Sequence, residues 1–143
     1  MLVSQILKTK GDMVFTVTPV ETVQAAAALL HSRRVGAMVV LDDQDNVVGI
    51  VSERDLVRVI AQEGGAGLTR PVSCCMTQDV LFADPHESID SLLARMTDRR
   101  VRHLPVVRGG RLAGIVSIGD LVKAKIAETE AEAEGLKSYI AGG

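Results

Sequence analysis

Apolar and polar positions alternate along this chain in an order that is run through twice. Residues 3–7 have the spacing of a short helix, 8–12 read as a polar loop, and Val14-Phe15-Thr16-Val17 reads as a short strand. Thr18-Pro19-Val20-Glu21 then has the form of an N-cap, a Pro at the first helical position and an acid in the first turn. That predicts a helix running through Val23, four consecutive alanines (Ala25 to Ala28), Leu29 and Leu30, and closing on the cations Arg33 and Arg34. The alanines make one face smooth enough to lie close against a sheet. The continuous apolar run 35–41 predicts a buried strand, the polar stretch 42–46 a turn, and 47–51 the returning strand of a hairpin. A helix over 53–63 follows, and Gly64-Gly65-Ala66-Gly67 breaks it.

The second half follows the same plan. It predicts a short helix at 72–76, a strand at 80–83, and a cap at Asp84-Pro85-His86-Glu87. A helix bearing Ile89, Leu92, Leu93 and Met96 at helical spacing comes next. The hairpin 104–107 and 112–116 turns at Gly109-Gly110, whose free backbone supplies the positive φ of a tight primed turn. After Asp120 one helix is expected to continue to about Ile140, a length of roughly 30 Å at 1.5 Å per residue. Along it Val122, Ile126, Thr129, Ala133, Leu136 and Ile140 alternate by four and three, forming a narrow seam beside a solvated glutamate face.

The duplication is closest where each hairpin enters its last helix. Gly49-Ile-Val-Ser-Glu-Arg-Asp-Leu-Val-Arg58 returns as Gly114-Ile-Val-Ser-Ile-Gly-Asp-Leu-Val-Lys123. Arg33-Arg34-Val35 is echoed by Arg99-Arg100-Val101, and Val3-Ser4 by Val72-Ser73. In each copy Ser and Asp stand at capping-box spacing, and two readings share that geometry. The pair can do no more than begin a helix. Alternatively, the unpaired N–H groups and positive dipole of the helix start can receive an anion while the carboxylate accepts two hydroxyls of a ribose. Neither half presents enough sheet to stand alone, which favours burying one half against the other.

These strings, with the Pro-led helix and Val-rich hairpin of each half, resemble a tandem pair of cystathionine β-synthase (CBS) domains, or Bateman module, of the stand-alone bacterial type. The resemblance covers a repeat at 3–66, a second at 70–123, and a C-terminal helix and tail at 124–143. It implies an α/β (α+β) fold in which two repeats pack with pseudo-two-fold symmetry, short sheets flanked by helices, with two clefts commonly holding adenine nucleotides or adenosyl compounds. Carried over by motif position, the first site comprises Ser117 and Asp120 with Thr18, Val23, Val35, Gly36 and Ala37, and with Ile115 against the base. The second comprises Ser52, Arg54 and Asp55, beside Ile50, with Asp84, Ile89, Val101, Arg102 and His103. Asp120 would take the ribose hydroxyls, and Ser117 and Thr18 would donate to ribose or phosphate. Asp84 departs from the pattern by placing a carboxylate where the first site has a hydroxyl, so the two sites need not be equivalent. Arg102 and His103 would face converging phosphates.

Composition narrows the function. An apolar content of 47% in 143 residues fills a core of ordinary size, while a net charge of −2 with pI near 5.9 gives no bulk attraction to nucleic acid or membrane. The basic concentration from Arg95 to Arg111 lacks interleaved aromatics; Phe15, Phe82 and Tyr139 are the only aromatic residues. Met1 to Lys10 contains no hydrophobic block, so no signal peptide is read there and the cytoplasm is the expected compartment. Adjacent Cys74 and Cys75 do not make a disulfide framework or a zinc site. His31 and His86 have no acid or thiol at catalytic spacing, and no nucleophile with a general base or phosphate-binding loop is found. The expectation is a regulatory protein and not an enzyme. It would sense AMP, ADP, ATP or NAD, without a catalytic cofactor or metal, and signal through its own homodimer or an unidentified protein target. The alternative is a structural or interaction module with vestigial clefts.

Overall fold

The computed structural model describes residues 1–11 and 13–142. Asp12, at the end of the predicted polar loop, and Gly143, at the end of the predicted tail, lie outside them. The element order is α1 (Val3–Lys10), β1 (Thr16–Val17), α2 (Val23–Arg33), β2 (Ala37–Leu41), β3 (Val47–Ser52) and α3 (Glu53–Glu63). Two short 3-10 helices, Gly64–Thr69 and Val72–Cys74, intervene before α4 (Ile89–Arg99), β4 (His103–Arg108), β5 (Arg111–Ser117) and α5 (Ile118–Gly142). Two compact units result. One is continuous, Val14–Leu81; the other is composite, joining Met1–Met13 to Phe82–Gly143.

The composite unit arises because the leading segment of each sequence repeat docks on the helix start of the other. In the continuous unit the N–H groups of Val72 and Ser73 donate to the carbonyls of Glu21 (2.7 Å) and Pro19 (3.0 Å), and Val23 N–H donates to Arg70 (2.8 Å). In the composite unit Val3 and Ser4 donate to Glu87 (2.9 Å) and Pro85 (2.8 Å), and Ile89 N–H donates to Met1 (3.0 Å). The compact units therefore cut across the repeats read at 3–66 and 70–123.

The same docking moves both helix starts. Thr18 and Asp84 are not the caps. α2 and α4 begin after Thr22 and Ser88, whose side chains accept from Ala25 N–H and Ser91 N–H, because the carbonyls of residues 19, 21, 85 and 87 are committed to the docked segments. Both helices close on an arginine in the left-handed region, Arg34 (φ 54°) and Arg100 (φ 55°).

In the continuous unit the sheet order is β1-β2-β3, with β1 parallel to β2 and β3 antiparallel. Its core is built from Val17, Val23, Met38, Val40, Val51 and Leu56, joined by Val72 and Cys75 from the docked segment. Gly49 is required on β3: a Cβ there would stand 2.7 Å from Met76 Sδ and 2.9 Å from the Thr77 carbonyl. Among the described residues the sheet of the composite unit is the antiparallel pair β4-β5, turned at Gly109 (φ 57°) and Gly110 (φ 78°) as the sequence predicts.

The strand expected at 80–83 does not form; it is reduced to a parallel bridge between Ala83 and Val106. The twin explains why. Val39 N–H donates to the Phe15 carbonyl in the ladder, whereas in β4 the place of Val39 is held by Pro105, which has no N–H to give to Leu81, the counterpart of Phe15. Two smaller differences concern the ends of helices: α1 continues to Lys10 instead of giving way to a loop at residue 8, and the helix expected at 72–76 is a 3-10 turn.

Candidate ligand-binding site

Both Ser-x-x-Asp strings are capping boxes in the structure. At the head of α3, Asp55 Oδ2 accepts from Ser52 N–H (2.8 Å) and Ser52 Oγ (3.0 Å), and Ser52 Oγ accepts from Asp55 N–H (3.4 Å). At the head of α5, Asp120 Oδ2 accepts from Ser117 N–H (2.8 Å) and Ser117 Oγ accepts from Asp120 N–H (3.1 Å). Helix initiation is thus real in both copies, and it leaves open what else each carboxylate does.

The two carboxylates differ in their cation and in their access. Asp55 is held by Arg58 from the next turn of its own helix, Nη2 to Oδ1 at 2.9 Å, and its side chain is 9% exposed. Asp120 is held by Lys10 at the end of α1, Nζ to Oδ2 at 2.6 Å, and its side chain is 26% exposed. Lys123, which occupies Arg58's place in the repeated string, does not take that role. Burial pulls the Asp120 carboxyl upward, but the Lys10 ammonium and the Ser117 hydrogen bonds outweigh it and hold the group below the ordinary value of 3.8. Asp55 has both oxygens engaged, whereas on Asp120 the Lys10 ammonium and the Ser117 N–H both fall on Oδ2.

Within each unit the hairpin start lies beside its own box. Ala37 pairs with Ser52 and Glu53 N–H donates to the Gly36 carbonyl (3.0 Å). Likewise His103 pairs with Ser117, and Ile118 N–H donates to the Arg102 carbonyl (2.8 Å). Of the first expected site, Ile115, Ser117 and Asp120 belong to the composite unit and Thr18, Val23, Val35, Gly36 and Ala37 to the continuous one. Of the second, Ile50, Ser52, Arg54 and Asp55 belong to the continuous unit and Asp84, Ile89, Val101, Arg102 and His103 to the composite one. Val23 and Ile89 are core residues, 0% and 1% exposed. Arg54 and Arg102 are exposed, and Val35, Gly36, Val101, His103 and Ile115 are half-buried.

Asp84 closes a local turn. Its Oδ1 accepts from His86 N–H (2.8 Å) and its own N–H donates to Glu87 Oε1 (3.3 Å). Arg95, the first of the basic concentration, is structural, its Nη1 spanning both oxygens of Glu87 at 2.7 and 2.8 Å. A groove between α1 and the β4-β5 hairpin, with Ser4, Lys8 and Arg108 among its walls, contains none of the expected residues.

Lys10 is the neighbour of the Asp120 box that local spacing does not reveal. It falls in the predicted polar loop, and its partners, the Ile115 carbonyl (2.8 Å) and Asp120, are far along the chain. The matching edge carbonyl in the other unit, Ile50, receives Thr77 N–H at 2.8 Å instead.

Two α/β units, each with its own hairpin-to-helix box, make a duplicated architecture, and comparison with known proteins shows the family it belongs to. The sequence profile of the CBS domain matches residues 3–62 and again 72–127, and the chain belongs to the CBS domain family. It is similar to the CBS-domain containing protein ATU1752 from Agrobacterium tumefaciens, with a TM-score of 0.84, 45% identity, and coverage of 87% of this chain and 92% of that one. It is 33% identical over 149 residues to the CBS domain-containing protein CBSX3, mitochondrial, of Arabidopsis thaliana, covering 99% of this chain and 72% of that protein. The fold is also that of the CBS domain pair of protein MJ0100 in complex with 5'-methylthioadenosine and S-adenosyl-L-methionine, with a TM-score of 0.79 at 23% identity over 90% of this chain and 98% of that one. Among the described residues no helix is long and apolar enough to cross a membrane, and no cluster of His, Cys, Asp and Glu has the form of a metal site.

Proposed function

We propose that this protein is a non-catalytic regulatory module that binds an adenine nucleotide or adenosyl compound, with Asp120 as the ribose anchor of its working site. The observation that carries the reading is the contrast between the two boxes. Both carboxylates cap a helix, but Asp120 remains partly open and Asp55 is closed by Arg58. A partly open carboxylate at the positive end of a helix can take a diol on one side of a ligand and favour an anion on the other. The adenosyl compounds held by the MJ0100 pair make that ligand class the first to test. AMP, ADP, ATP and NAD belong to the same class. The remaining expected contacts, from Thr18, Val35, Gly36 and Ala37 for this site and from Arg54, Arg102 and His103 for the second, are part of the same proposal.

The test is thermal unfolding of nucleotide-free protein against AMP, ADP, ATP, NAD, S-adenosylmethionine and GTP, alongside Asp120→Ala and Asp55→Ala. A ligand at a hundred times its Kd adds about 2.7 kcal/mol, a shift of several degrees for a chain of this size. The expected result is a shift with an adenine compound that Asp120→Ala loses and Asp55→Ala keeps. No shift with any of them overturns the reading.

A second reading is favoured by α5, whose Ile126, Leu136 and Ile140 are 55%, 60% and 70% exposed along the expected seam. There the module acts through protein contact, as a homodimer or on a protein target, and its boxes only cap helices. The free thiols Cys74 and Cys75 suit a reducing, cytoplasmic setting under either reading.

A further inference from the structure

We propose that Lys10 selects the ligand at Asp120, admitting adenosine compounds that carry a phosphate near the ribose ahead of those that carry none. The inference rests on Asp120 being the ribose anchor. Its basis is that one ammonium performs two tasks that the twin unit gives to separate groups. In the continuous unit the Ile50 carbonyl is satisfied by Thr77 N–H at 2.8 Å and Asp55 by Arg58 at 2.9 Å. In the composite unit Lys10 Nζ reaches both the Ile115 carbonyl (2.8 Å) and Asp120 Oδ2 (2.6 Å).

A main-chain N–H in a bridge cannot leave without undoing the edge of the sheet. A lysine head on a flexible stem, with its side chain 36% exposed, can turn away at the cost of its own contacts. A ribose that donates two hydroxyls to Asp120 competes with Lys10 for Oδ2. Once displaced, the ammonium has lost both its counter-ion and its carbonyl partner, contacts that a new anion would replace. A phosphate supplies that anion through a charge-assisted hydrogen bond. Uncharged adenosine does not, and the sulfonium of an adenosyl compound adds a like charge.

The device is confined to one box. Counting from the matched pairs Val3-Ser4 and Val72-Ser73, the place of Lys10 in the second repeat is held by Asp79, which has no cation to offer.

The experiment is calorimetric titration of wild type, Lys10→Met and Lys10→Arg with AMP and with adenosine. Wild type is expected to favour AMP by about tenfold or more. Lys10→Met should bring the two affinities together by weakening AMP and sparing or strengthening adenosine, while Lys10→Arg should keep the preference. Binding of both compounds with an unchanged AMP-to-adenosine ratio in Lys10→Met overturns the role of Lys10 and leaves the ribose anchor standing. Absence of binding in all three proteins overturns the anchor, and the inference falls with it.

Discussion

At the scale of single residues, the repeated string conceals a difference. Ser52, Asp55, Ser117 and Asp120 were legible as capping boxes from spacing alone, and all four make the expected bonds. What spacing does not carry is the neighbour brought in by the fold. Arg58 lies one turn on and could have been paired with Asp55 by counting, but Lys10 meets Asp120 only after residues far apart in sequence have packed. The Asp120 carboxyl is held below its ordinary value despite burial, so the folded state binds its proton more weakly than the unfolded chain. The stabilisation is therefore complete above the ordinary value of 3.8 and is lost as pH falls through the lowered one. Urea unfolding of wild type and Asp120→Asn should show a stability gap at about pH 7 that narrows toward about pH 3. A gap independent of pH would show that the carboxylate charge is not what Lys10 and Ser117 hold.

At the scale of elements, α3, the Gly109-Gly110 turn and the long last helix follow the sequence closely, because periodicity, glycine and length all act locally. The starts of α2 and α4 do not. Thr18-Pro19-Val20-Glu21 satisfies every local rule for a helix start, whereas Thr22 offers only its hydroxyl, with neither a Pro nor an acid following it; the docked 3-10 segment decides for Thr22 by claiming the Glu21 and Pro19 carbonyls. Thr22→Ala and Ser88→Ala should each cost about 0.5–2 kcal/mol in chemical denaturation, and Thr18→Ala within about 0.5 kcal/mol. A larger loss at Thr18 than at Thr22 would contradict the observed cap. The missing strand at 80–83 has a local origin instead: Pro105 stands where the twin's Val39 donates its N–H to Phe15, and a proline has none to give.

At the scale of the whole molecule, α5 offers the clearest test of self-association. From Thr129 to Gly142 every residue is exposed, so a chain ending at Thr129 loses no buried side chain. Its unfolding midpoint should match that of the full chain. If the seam of Ile126, Leu136 and Ile140 joins two copies, light scattering at micromolar concentration should report a dimer for the full chain and a monomer for the shortened one. A monomer in both would remove the seam from consideration as a self-contact. The two-copy plan itself was legible from Gly49–Arg58 and Gly114–Lys123; the exchange of leading segments was not, because each segment matches its own repeat in sequence and docks on the other in space.

That exchange also orders events on the ribosome. The Val14–Leu81 unit is a single uninterrupted stretch and can close as soon as it has emerged, with no later residue needed to complete it. The α1 segment precedes that unit in the chain but has nothing of its own to dock on until residues 85–89 have been made, so it waits for its place while the continuous unit closes. Lys10 rides on that piece. The Asp120 box therefore receives its cation from 110 residues earlier and only after that segment has docked, whereas the Asp55 box carries Arg58 with it from the start.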